Sequence, residues 1–197
     1  KHLDILSKQG YSSLERENRL IDRGSKLFNK LAPKAALAAT VALEHFTAML
    51  AHQMYEDPAT YVTPAHEDFK PMFLWHAAEE IEHKSVAFDV YQQVDGSYGR
   101  RVIAMVFATM GMFLMIPFRM FPLLLKDGIA FKWKTWREGI PFLFGKNGKL
   151  TKPWRHYIQF YRRDFHPWDV QDFHLIEDFR RIYEEGKLLT NVDDILG

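Results

Sequence analysis

The stretch "WHAAEEIEHK", Trp75 to Lys84, decides the fold. On a helix, residues three and four apart share a face. His76, Glu80 and His83, at i, i+4 and i+7, therefore form one stripe, with Glu79 and Glu82 on its flanks. Trp75, Ala77, Ala78 and Ile81, followed by Ala87 and Phe88, are apolar and surround the stripe, so part of it is expected to be buried. Within it, Glu80 and His83 are spaced as Glu-x-x-His.

A second helix supplies a matching carboxylate. "PKAALAATVALEHFTAMLAHQMYED", starting at Pro33, is apolar over much of its circumference and reads as a central helix ended by Asp57-Pro58. Glu44 lies on it with Thr40 and Thr47 as the only polar neighbours on its own face. A buried, unpaired carboxylate is costly and takes a proton, a partner or a metal. A divalent ion between Glu44, Glu80 and His83 would satisfy all three, and carboxylate with imidazole suits Fe, Mn or Zn. Di-metal carboxylate bundles use one Glu from each of two helices and a Glu-x-x-His from each of two others. One helix of each kind is present here, which is half a set. The plainer reading is that Glu-x-x-His arises by chance, that "EEIEHK" is a solvated charged face, and that the threonines or a basic partner satisfy Glu44.

Outward from this pair the chain reads as helices joined by short turns, an all-α fold. Ser12-Ser13-Leu14-Glu15 is a capping-box pattern opening a polar helix to about Leu31. Thr63-Pro64 precedes a helix expected over His66 to Val94, with Pro71 kinking it or marking its true start. Asp95-Gly96-Ser97 is a turn. Val102 to Phe118 then runs for 17 residues without a charge, bracketed by Arg100, Arg101 and Arg119. It reads first as a buried core helix, next as a helix in a membrane interface or lining a greasy pocket, and last as a bilayer span, for which it is short and interrupted by prolines. After Gly128 the chain becomes rich in Trp, Phe, Lys and Arg, with a turn at Asn147-Gly148 and a last amphipathic helix over Val170 to Gly186. The expected organisation is a bundle over 1–127 and a helical extension over 128–197 that packs on the bundle or on a membrane surface.

Composition sets outer bounds. Of 197 residues 47% are hydrophobic, enough for a sizeable core, and the net charge of +1 gives no global pull toward nucleic acid. With no cysteine, disulfides, thiolate metal sites and Cys nucleophiles are excluded. The opening "KHLDILSKQG" has no initiator Met and no signal-peptide pattern, and enters within an amphipathic segment, so residues are expected to precede it. No Gly-x-Ser-x-Gly or phosphate-cradling loop is found.

"ALEHFTA" (Ala42 to Ala48) and "WHAAEEIEHKSVAFDVY" (Trp75 to Tyr91) together resemble a bacterial family of predicted metal-dependent hydrolases, itself similar to the ferritin-like di-metal superfamily. The resemblance covers roughly residues 30 to 125. It implies a ferritin-like helical bundle, partial in this chain, in which Glu44 is the single-carboxylate ligand, Glu80 and His83 are the paired ligands, and His76 is a further ligand. It also makes Glu79 a candidate for a further ligand or for a group supporting one, makes Asp89 a carboxylate that orients a ligand imidazole, and implies a divalent metal, Fe first and Mn or Zn as alternatives. In hydrolysis a glutamate, Glu79 or else Glu82, is expected to be the catalytic acceptor of the proton from metal-bound water. An upstream helix pair with the remaining ligands is missing, and Lys1-His2 reads as the tail of its second helix. A second subunit, in a homodimer, would be another source of those ligands. His45 is read as packing, His174 as structural, and His52 and His2 as weak ligand candidates.

The expected activity is hydrolysis of a small hydrophobic substrate at a di-metal centre, with Val102 to Phe118 walling an acyl-sized pocket beside it. The alternatives are oxygen activation at two irons on the same scaffold, and a non-enzymatic helical protein held at a membrane surface. Location in the cytoplasm, at the inner face of the membrane, goes with these readings.

Overall fold

The structure is a computed structural model that describes residues 13–146 and 148–185, with side chains from Asn18 onward. Among the described residues there are helices and no strand. In chain order they are α1 (Ser13–Leu31), α2 (Pro33–Glu56), a single turn α3 (Pro58–Tyr61), α4 (Lys70–His83), α5 (Val86–Val94), α6 (Tyr98–Lys126), α7 (Trp133–Phe144), α8 (Trp154–Gln159) and α9 (Glu177–Glu184). Ser12, Asn147, Gly186 and His2 lie outside the described residues.

α2 is the central helix. Pro33 occupies its first turn, where a missing N–H costs nothing. The Asp57 side chain then caps α3 by accepting from the Thr60 N–H at 3.3 Å. One core joins Val41, Ala42, Phe46 and Met49 of α2 to Phe88 and Tyr91 of α5, Met105 of α6, and Phe160 and Phe165. A second joins Ala51 of α2 to Leu74, Ala77, Ala78 and Ile81 of α4 and to Ile176 and Phe179 at the C-terminal end. Alanines along α2 let α4, α5 and α6 approach it closely.

Three expectations need correction. The helix expected over His66 to Val94 is two. Pro71 lies in the first turn of α4, so it marks a start and not a kink, and the chain turns at Lys84-Ser85 before α5. No Gly or Pro breaks it there. Lys84 is buried, and its Nζ reaches the Val170 carbonyl at 2.6 Å and Asp172 Oδ1 at 2.5 Å, so the turn coincides with a tertiary anchor. The last helix does not begin at Val170. Short 3-10 turns at Pro167–Asp169 and Phe173–Ile176 precede α9, and His166 and Asp169 cap the first of them reciprocally.

The third correction concerns α6. It extends for 29 residues through Pro117 and Pro122, and only Arg101 and Met105 of it are buried. The uncharged run is therefore no core helix. Its Ala104, Ala108 and Met112 side packs on the α2 core, while the opposite side is apolar and exposed. Arg101 fixes its N-terminal end by donating to the Arg162 carbonyl at 2.6 Å, with its guanidinium 5.1–5.6 Å from the rings of Phe88, Tyr98, Phe160 and Phe165.

Candidate metal centre

Glu44 is half-buried on the face of α2 that meets α4. The threonines beside it do not serve it: Thr40 donates to the Ala36 carbonyl at 3.2 Å and Thr47 to the backbone carbonyl of Glu44 at 3.0 Å. Among the described residues nothing donates a hydrogen bond to its carboxylate. Burial raises its pKa above the ordinary carboxylate value, the charge of Glu80 raises it further, and His83 pulls it back. Glu44, Glu80 and His83 therefore share one electrostatic neighbourhood across α2 and α4. Glu80 is largely covered, at 19% side-chain exposure, and pairs with exposed His76 at 3.4 Å.

The flanking acids part company. Glu79 is half-buried and has no partner among the described residues. Glu82 is held by Arg180 of α9 at 3.2 Å, so it ties α4 to the C-terminal end. Asp89 does hold an imidazole, but that of His166, at 2.9 Å. His45 is buried, meets the His156 carbonyl through Nε2 at 3.0 Å, and packs on Phe160 and Phe165, so it is a packing histidine. His174 is exposed.

Behind His83 lies a second polar cluster that the sequence did not announce. Asp172 is met by Lys84 and by His52 Nδ1 at 3.4 Å, and His52 Nε2 faces Glu56 at 3.5 Å. The His156 ring stands edge-on to His52 with centroids 4.5 Å apart. Burial alone would raise the Asp172 carboxyl; the His52 imidazole and the Lys84 ammonium outweigh it and hold the pKa below the ordinary value. The one sequence signal was His45 and His52, seven apart on α2. Glu56 is a neighbour on the same helix, but their other partners, His156 and Asp172, lie more than a hundred residues away in the chain.

An apolar cavity of about 500 Å³ lies between α2, α6, α7 and α8. It is walled by Phe46, Met49, Met112, Ile116, Trp136 and Leu143, among others, and contains no carboxylate or imidazole. Phe46 and Glu44, two residues apart, point about 200° apart around the helix. The acyl-sized pocket therefore exists, but across α2 from the carboxylates and not beside them.

Residues 1–171 match the family described as predicted metal-dependent hydrolase. The chain belongs to that family. No curated protein and no solved structure matches it. For a predicted metal-dependent hydrolase a divalent metal is implied by name, and the chain's own residues can be tested against it. Among the described residues no group of three or more His, Asp or Glu is gathered closely enough to hold an ion. The donor chemistry nevertheless fits: two carboxylates, one of them unpaired and destabilised by the other, with the two imidazoles of His76 and His83 on the same helix face.

Proposed function

We propose that this chain is a metal-dependent hydrolase whose Glu44, Glu80 and His83, with His76 as a further ligand, form half of a ferritin-like di-metal carboxylate site. The other half would come from preceding helices or a second subunit. The observation that carries the reading is Glu44: a half-buried carboxylate without a hydrogen-bond donor, set against Glu80 and His83. Set against Glu80 and away from water, the Glu44 charge takes stability from the fold instead of adding to it. Fe is the first choice of metal, with Mn or Zn as alternatives.

A divalent ion bound here would supply Lewis acidity and lower the pKa of coordinated water toward neutrality. The protein's own part is then threefold. Glu44 and Glu80 would supply carboxylate oxygens to the ion, whose charge would relieve their mutual repulsion. His76, one turn before Glu80 and 3.4 Å from its carboxylate, sets an imidazole on the same face. Glu79, half-buried and unpaired one position before Glu80, is placed to accept a proton on a carboxylate oxygen.

The test is metal content of the purified chain, with binding isotherms for Glu44→Gln and His83→Ala. Each is expected to weaken the best-bound metal by at least roughly tenfold. Unchanged affinity in both variants would sink the assignment. Zinc with no visible absorption band would rule out the alternative of oxygen activation on the same ligands.

A further inference from the structure

We infer that the exposed side of α6, continued by α7 and the Trp154 end of α8, seats on the surface of an anionic lipid bilayer. This does not depend on the metal reading. Ile103, Phe107, Met110, Leu114, Phe118 and Phe121 follow one another at spacings of three and four along α6 and are all exposed, with Phe107 at 67%, Leu114 at 69% and Phe118 at 75%. That is one unbroken apolar stripe of about 27 Å at 1.5 Å per residue. Soluble monomers rarely leave such a patch to water. Phe131 (85%) and Trp133 (76%) extend it past the end of α6, alternating with exposed Lys132 and Lys134.

Charge names the occupant. Residues 98–163 carry thirteen lysines and arginines and two acids, a net +11, so the rest of this +1 chain carries −10. The positive charge is thus concentrated in the same third of the chain that exposes the stripe. Aromatic rings at headgroup depth with interleaved Lys and Arg suit an anionic leaflet. A two-fold dimer through this face would bring the exposed Lys132, Lys134 and Arg137 of one copy up to the same positive charges of the other. α6 lies flat and does not span, because its other side packs on α2 through Met105 and Arg101 anchors it to Arg162. Arg119 and two prolines also interrupt its second half.

The experiment is co-sedimentation of the full chain with phosphatidylcholine vesicles, with and without phosphatidylglycerol. Binding is expected with phosphatidylglycerol, falling steeply with salt, and weak without it. Lys132→Glu with Lys134→Glu and Arg137→Glu, all exposed, should lower partitioning by roughly a hundredfold. For the unaltered protein, lipids brominated on their acyl chains should quench tryptophan fluorescence, a readout that needs no variant to fold. Failure to bind anionic vesicles would overturn the inference. So would binding indifferent to lipid charge and to the three reversals, or a solution oligomer broken by Phe118→Asp that ignores vesicles, which would give the stripe to a second copy.

Discussion

Lys84→Met is the sharpest test of how the C-terminal segment is held against the candidate site. The Lys84 and Asp172 side chains are 3% and 2% exposed, and Nζ meets Asp172 Oδ1 at 2.5 Å, the Val170 carbonyl at 2.6 Å and the Trp168 ring at 4.9 Å. Removing one partner of a buried ion pair strands the other, at a cost of about 3–5 kcal/mol. His52 Nδ1 stays 3.4 Å from Asp172, so the carboxylate keeps one polar neighbour and the lower end of about 3 kcal/mol is expected. For a chain of 197 residues that is a fall in Tm of roughly 6–12 °C. Urea unfolding followed by far-UV circular dichroism reads the free energy directly. The double variant Lys84→Met with Asp172→Leu removes both charges and should recover at least about half of the loss.

The sign with pH follows from Asp172. Its folded pKa is held below the ordinary 3.8, so its contribution is present above that value and is lost as pH falls through the folded pKa. The deficit of Lys84→Met should therefore shrink in acid. A loss under about 1 kcal/mol at neutral pH, or a double variant no better than the single one, would refute the buried-pair account.

Burial holds the His45 imidazole down at about 4 against an ordinary 6.5, so between those values the unfolded chain binds a proton that the folded one refuses. Stability should fall by about 2 kcal/mol as pH drops from 6.5 to 5, and urea titrations of His45→Phe should show that slope flattened. Leu74→Ala empties a fully buried position between α4 and α2 and should cost about 2–5 kcal/mol in the same assay. Gly139 lines the cavity, and a Cβ there would meet nothing within 4 Å, so Gly139→Leu should stabilise the chain by up to about 1 kcal/mol through helix propensity. It should also weaken binding of an alkyl-chain fluorophore by roughly tenfold, and a destabilised variant would show that the space is not free.

What could be read from the sequence was local. Pro33, Asp57-Pro58 and the Asp95–Ser97 turn announce helix ends by backbone chemistry: Gly96 has φ +58°, and Ser97 caps α6 by accepting from the Arg100 N–H. The Glu44 and Glu80/His83 pairing was legible because each lies within one helix turn of residues that fix its face. The break after His83 was not, because its anchor lies 86 and 88 residues further on, at Val170 and Asp172. The exposure of α6 was not legible either. Hydropathy reports that a helix is apolar and says nothing of what covers it, and a core helix has the same composition as one that faces a lipid surface.

Glu44→Gln separates a binding site from a structural ion pair by the relative sign of two effects. The folded pKa of Glu44 is raised by burial and by Glu80, so its ionised form is disfavoured in the fold, and the stability it removes grows as pH rises through the folded value. Glutamine keeps the shape and removes the charge. In metal-free protein the variant should therefore be more stable than the parent at neutral pH, by a small amount because Glu44 is only half-buried. With metal present the order should reverse, since the parent gains binding free energy that the variant has lost. A structural carboxylate would lose stability in both conditions, and a solvated one would change in neither. Thermal melts of the two proteins, with chelator and with saturating metal, give all four values. A variant less stable than the parent in chelator would remove the electrostatic argument on which the metal assignment rests.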